Sequence, residues 1–192
     1  MSSPAVAIYC GDSSDFSWEK VKFHYHTINP KFYIDWTKPA GGFVWARGYV
    51  SKLGRPYENN EERFRDLAEW AYTTIYYSVS LIKELPPVVI AIEDYAMGAK
   101  GRVFEIAENT GCLKQILRKA DCDFKLYPPT VVKKFATGKG NAKKEQMYEA
   151  WMDETGFDIW KLMTPGRTKI SSPVTDIVDA YFILKKLVVE DV

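Results

Sequence analysis

Apolar and polar positions alternate along this chain in stretches that change period, and the changes of period mark its elements. Residues 5 to 10 form a short apolar run closed by Gly11, Asp12, Ser13 and Ser14, the pattern of a buried strand ending in a turn with Asp12 at its carboxyl end. From Trp18 to Gly54 the period is two (Val21, Phe23, Tyr25, then Phe32, Ile34, Trp36, then Phe43, Trp45), which predicts two or three antiparallel strands. Residues 60 to 85 switch to helical spacing through Phe64, Leu67, Ala68, Ala71, Ile75, Val79 and Ile82, and stop at Pro86 and Pro87. Val88 to Ile92 is a short β-branched run suited to a central strand, and it hands the chain to Glu93.

Further on, the pattern predicts helices over residues 102–119, 130–135 and 142–154, with a strand over 122–127. Ser172 reads as an N-cap and Pro173 as the first position of a last helix reaching about Val189. With strands early and helices late, and no repeat or interdomain linker, the expectation is a single α/β domain over residues 1–192.

That last helix carries the most informative chemistry. It is apolar on nearly every side, with Val174, Ile177, Val178, Tyr181, Leu184 and Val188 in one stripe, yet Asp176 and Asp179 sit three apart among Ala180 and Ile183. Two like charges on a buried helix are strongly disfavoured unless a cation joins them. The alternative is a half-exposed pair near a helix N-terminus, where the macrodipole favours acids.

Asp12 and Glu93 both end strands, and strand ends and helix starts gather at one edge of an open α/β sheet. Four convergent carboxylates would repel unless neutralised, and an oxygen-only donor set selects hard ions such as Mg²⁺ or Mn²⁺. Two ions ~3.5–4 Å apart are the standard device for in-line attack on a phosphodiester. Taken singly, Asp12 also fits a turn former and Glu93 a cap or salt-bridge partner.

Residues 133–144 hold five lysines, Lys133, Lys134, Lys139, Lys143 and Lys144, with no acid, broken by Gly138 and Gly140. Glycines let backbone approach a phosphate, and a helix starting near Asn141 adds a positive terminus, so the stretch reads as a clamp on a nucleic-acid backbone or as a solvated basic loop. The spacing excludes a Walker-type phosphate loop. Tyr95, two residues past Glu93, is placed to stack on an exposed base. Tyr72, Tyr76, Tyr77, His24 and His26 read as structural.

The formal net charge is only +1, so attraction to a polyanion must come from that local lysine cluster. Cys10, Cys112 and Cys122 are odd in number and lack metal-type spacing, which argues against structural zinc and predicts buried or free thiols in a reducing compartment. With 46% hydrophobic residues but neither a signal-like start nor a membrane-length apolar run, the expectation is a soluble protein with no membrane partner. Its expected location is the cytoplasm, with the nucleoid, or a host cytoplasm if viral.

In four segments the chain resembles the RuvC family of Holliday junction resolvases, within the ribonuclease H-like nucleases. They are Ala5 to Asp12, Val89 to Glu93, Lys133 to Lys144 with its Gly-x-Gly-x-Ala-x-Lys loop, and the Asp-x-x-Asp of Asp176 and Asp179. The resemblance implies a ribonuclease H-like fold with a five-stranded mixed sheet flanked by helices. It implies Asp12, Glu93, Asp176 and Asp179 as ligands of two Mg²⁺ ions, replaceable by Mn²⁺. Lys144 would neutralise the scissile phosphate, and Lys133 would assist DNA binding. It also implies a homodimer, with the helix over residues 102–119 in the dimer contact, acting on four-way junctions by paired nicks. Two departures stand out: Ser13 and Ser14 follow the first aspartate where the family has Pro or Gly, and Ala96 stands where many members carry a stacking aromatic.

Overall fold

The computed structural model describes residues 4–29, 31, 45–53, 55–82, 90–94 and 103–190. Strand β1 is Ala5–Ile8, β2 Lys22–Thr27 and β3 Trp45–Val50, with single 3₁₀ turns at Ser13–Asp15 and Trp18–Lys20 between the first two. Helix α1 spans Asn60–Ile82, β4 Ile90–Glu93, α2 Val103–Lys119 and β5 Phe124–Tyr127. Helices α3 (Pro129–Thr137), α4 (Lys144–Thr155), α5 (Ile159–Met163) and α6 (Val174–Glu190) complete the order.

Strand β2 shows why the early residues pair as they do. Val21, Phe23 and Tyr25 are fully buried on one face, while His26 points to the other and is buried there against α1. Helices α4 and α6 cover the first face. Trp151 of α4 is the centre of this core, with ring centroids 5.0 Å from Tyr181, 6.0 Å from Phe23 and 6.0 Å from Trp18. Its indole N–H donates to the Phe157 carbonyl at 2.7 Å, so the largest core side chain leaves no polar atom stranded. On α6, Val174, Ile177, Val178, Ala180, Tyr181 and Phe182 are all buried, as a helix apolar on most sides requires.

The architecture is α/β, and its strands form two sheets among the described residues. One has order β1-β2-β3 and the other pairs β4 with β5. The expected five-stranded sheet is therefore not formed there; α6 packs on both β1 and β4 and joins the two sheets by side-chain contact instead of a hydrogen-bonded ladder. The first sheet is mixed. Ala5 opposes Tyr25 in an antiparallel pair, but β3 pairs directly with β2 in parallel, with Lys22 opposite Trp45, where antiparallel strands were expected; the expected strand through Phe32, Ile34 and Trp36 lies outside the described residues. Period-two spacing reports a pleated strand and is blind to its direction.

Helix boundaries also differ. Helix α6 starts at Val174, one residue past the predicted start at Pro173, whose carbonyl accepts the Ile177 N–H at 3.1 Å. Helix α4 starts at Lys144, because Ala142 closes a turn onto the Lys139 carbonyl at 3.2 Å. Helix α5 escaped the periodicity, being only one turn long, and is capped by Asp158, which accepts from the Lys161 N–H at 2.7 Å. No helix among the described residues is long and apolar enough to cross a membrane.

Candidate functional site

Three of the four predicted acids come together. Glu93 ends β4, and α6, which packs on β4, brings Asp176 and Asp179 to it from its first turns. Helices α3 and α4 also pack on α6, and they supply Lys133 and Lys144. The charges feel one another. Loss of water and then the nearby Asp179 push the Glu93 carboxyl up to about 7, with Lys133 opposing and Asp176 adding to the rise. Glu93 keeps an open side to solvent, so its desolvation is partial and the neighbouring negative charges matter. Burial likewise raises Asp179 to about 6 against the pull of Lys144 and Lys133.

Asp12 adds no charge to that network, although β1 and the 3₁₀ turn that it begins both pack on α6. It is exposed, begins the 3₁₀ turn after β1, and its backbone carbonyl accepts from the Tyr9 hydroxyl at 2.8 Å. It is not among the charges acting on Glu93 or Asp179. Its local role is that of a turn residue. The donor chemistry of Glu93, Asp176 and Asp179 suits a hard divalent ion, but the positions do not form a ligand set. Among the described residues no three His, Cys, Asp or Glu side chains are close enough to hold one metal ion. What stands here is a carboxylate–lysine network.

The glycines of the lysine-rich loop serve the backbone of this network. Gly138 ends α3 in the left-handed region at φ 75° while its N–H bonds the Lys134 carbonyl at 2.8 Å. At Gly140 a Cβ would lie 3.1 Å from the Thr130 carbonyl oxygen, so the loop folds back tightly against the start of α3. Lys133 is half-buried, whereas Lys134, Lys139, Lys143 and Lys144 are exposed and available to a large anion. Tyr95 and Ala96 lie outside the described residues, as do Pro86, Pro87 and part of the expected strand before β4.

One buried polar network was missed by pattern reading. His26 Nε2 is 2.8 Å from Asp66 Oδ2, and the Tyr57 hydroxyl donates to that same oxygen at 2.7 Å. Burial alone would raise the Asp66 carboxyl, but bonds from His26, Tyr57 and Ser51 outweigh it and hold the group below its usual range. His26 also stacks on Tyr49, with ring centroids 5.5 Å apart. On α1 Asp66 is buried with Arg63, Leu67 and Trp70, a face turned away from the stripe through Phe64 and Ala71, so the apolar period gave no signal for it. Cys10, Cys112 and Cys122 are all free thiols.

No family model matches the chain, and no curated protein does. Among solved structures, one of Thermus thermophilus RuvC aligns with a TM-score of 0.45 at 16% identity, covering 70% of this chain and 71% of that one. A structure of T. thermophilus RuvC in complex with Holliday junction substrate aligns with a TM-score of 0.43 at 14% identity, covering 67% of this chain and 70% of that one. Scores of this size do not establish a shared fold.

Proposed function

We propose that the chain is a divalent-ion-dependent endonuclease of branched DNA, nicking four-way junctions as a homodimer. The observation that carries this reading is the meeting of Glu93, Asp176 and Asp179 with Lys133 and Lys144, drawn from four separate elements into one network. Carboxylates raised by burial, and in Glu93 also by its acidic neighbours, gain from a cation, and lysines beside them gain from a phosphate. The two halves of such a site are what a phosphodiester substrate needs.

Glu93, Asp176 and Asp179 are the groups whose donor chemistry would suit Mg²⁺. A bound ion would supply an activated water and stabilise the leaving oxygen. Lys144, exposed at the first position of α4, is proposed to neutralise the phosphate under attack, and Lys133 to hold the strand. Lys134, Lys139 and Lys143 extend the basic surface along the DNA backbone.

The test is cleavage of a synthetic four-way junction beside flap, fork and duplex controls, with Mg²⁺ and with EDTA. Ion-dependent paired nicks in the junction support the reading, equal cutting of flaps and forks redirects it to a relaxed branched-DNA nuclease, and no nicking in any substrate rejects catalysis. The lack of a formed ligand set among the described residues favours one second reading, a module that binds branched DNA without cutting. Tight junction binding with no ion-dependent product is its signature.

A further inference from the structure

Lys186 stands on the same face of α6 as Asp179, seven residues and two helical turns further on, about 10 Å along the axis. Only 12% of its side chain is exposed, unusually little for a lysine. Its ammonium lies 5.6 Å from the centre of the Phe135 ring and 5.3 Å from that of Tyr127, both within cation–π range, and it pairs with Glu190 one turn on.

These rings are not arbitrary neighbours. Phe135 is two residues past Lys133 on α3, and Tyr127 is the register partner of Glu93 across the β4–β5 ladder. Lys185 adds a second cation 5.9 Å from the Phe135 ring and pairs at 2.8 Å with Glu154 of α4, the helix that begins at Lys144. Glu154 in turn accepts the hydroxyl of the core residue Tyr181. One end of α6 thus grips, through two consecutive lysines, the helices α3 and α4 that deliver Lys133 and Lys144, and β5, the ladder partner of the strand that ends at Glu93.

The geometry points to Lys186, acting through Phe135 and Tyr127, as a positioning residue that sets how Lys133 and Glu93 stand against Asp179. A lysine ammonium between two rings is held by cation–π attraction to both in addition to the packing of its stem, and an aliphatic side chain has only the packing. Its guanidinium counterpart, arginine, can keep both rings and the acid, whereas methionine keeps only the stem. The inference rests on the functional reading above only for its consequence in DNA cleavage; the positional claim is separate.

The experiment is pulse labelling of lysine amines on the full chain with acetic anhydride, read residue by residue by mass spectrometry, for wild type, Lys186→Met, Lys186→Arg and Phe135→Leu. Lys133 is expected to label about threefold faster or more in Lys186→Met and Phe135→Leu, because local release of α3 opens a half-buried amine. Lys186→Arg should stay at the wild-type rate, and the half-buried Lys114 of α2 should not change in any variant. Unchanged Lys133 labelling in folded Lys186→Met overturns the proposal, and so does acceleration of Lys133 and Lys114 together, which reports general loosening. If Lys186→Met does not fold, Phe135→Leu decides by the same criterion. Absence of junction cleavage by the wild type would sink the nuclease reading and leave this labelling result standing.

Discussion

His26 and Asp66 form a buried pair, Nε2 to Oδ2 at 2.8 Å, that fastens β2 to α1 on the sheet face away from α6. Tyr57 adds a second bond to the same oxygen, so three segments of the chain meet at one carboxylate. Asp66→Ala would leave the buried His26 and the half-buried Tyr57 without that acceptor. A buried polar group left unsatisfied costs about 1 to 3 kcal/mol, and a domain of this size loses about 2 to 4 °C in Tm per kcal/mol. A fall of about 10 °C by calorimetry is the expected result. Because Asp66 is held below its unfolded range, its contribution is present above the unfolded pKa and is lost as pH falls through the folded one, so the gap between wild type and variant should narrow in acid.

Glu93 and Asp179 have the opposite sign. Their folded values, about 7 and about 6, lie above the ordinary carboxylate range, so the folded chain holds more protons than the unfolded one between about pH 4 and 7. Stability in EDTA should therefore decline as pH rises through that window. Glu93→Gln should flatten the decline, and Tm profiles across the weakly acidic to neutral range measure it. A profile of unchanged slope in the variant would remove Glu93 from the charge network.

Asp12 and Asp179 were equivalent as sequence motifs and are not equivalent in space. Asp179→Asn is expected to reduce junction cleavage about a hundredfold or more while keeping or tightening binding, since it removes a ligand and a repulsive charge. Asp12→Asn should leave cleavage within about threefold, as expected for a residue on an exposed turn that shifts neither the Glu93 nor the Asp179 carboxyl. Single-turnover cleavage of one labelled junction compares them directly, and equal losses would place Asp12 in the site after all.

Lys133→Ala should weaken junction binding and make it less sensitive to salt. Removing one lysine from a phosphate lowers the slope of log K against log salt by about 0.9. Fluorescence anisotropy at several salt concentrations reads this slope, and an unaltered slope would deny Lys133 its phosphate.

Much of the secondary structure was legible because burial imposes a period. The helices α1, α2 and α6 and the strands β1, β4 and β5 lie within a few residues of their apolar patterns. Asp176 and Asp179 declared themselves by standing on a helix too apolar to bear them, and Lys133 and Lys144 by their density in a stretch without acids. Helix α5, one turn long, had no period to reveal.

What the chain's order of residues determined alone was which side chains must leave water and which charges would then need company, because those follow from local spacing and transfer cost. Tertiary structure decided who that company is. It chose the parallel pairing of β2 with β3, drew Glu93 to Asp179 through α6, buried His26 on Asp66, and left Asp12 on an exposed turn. The reason is physical: strand direction, sheet membership and the meeting of distant charges depend on packing between elements far apart in sequence, and no local period encodes that packing.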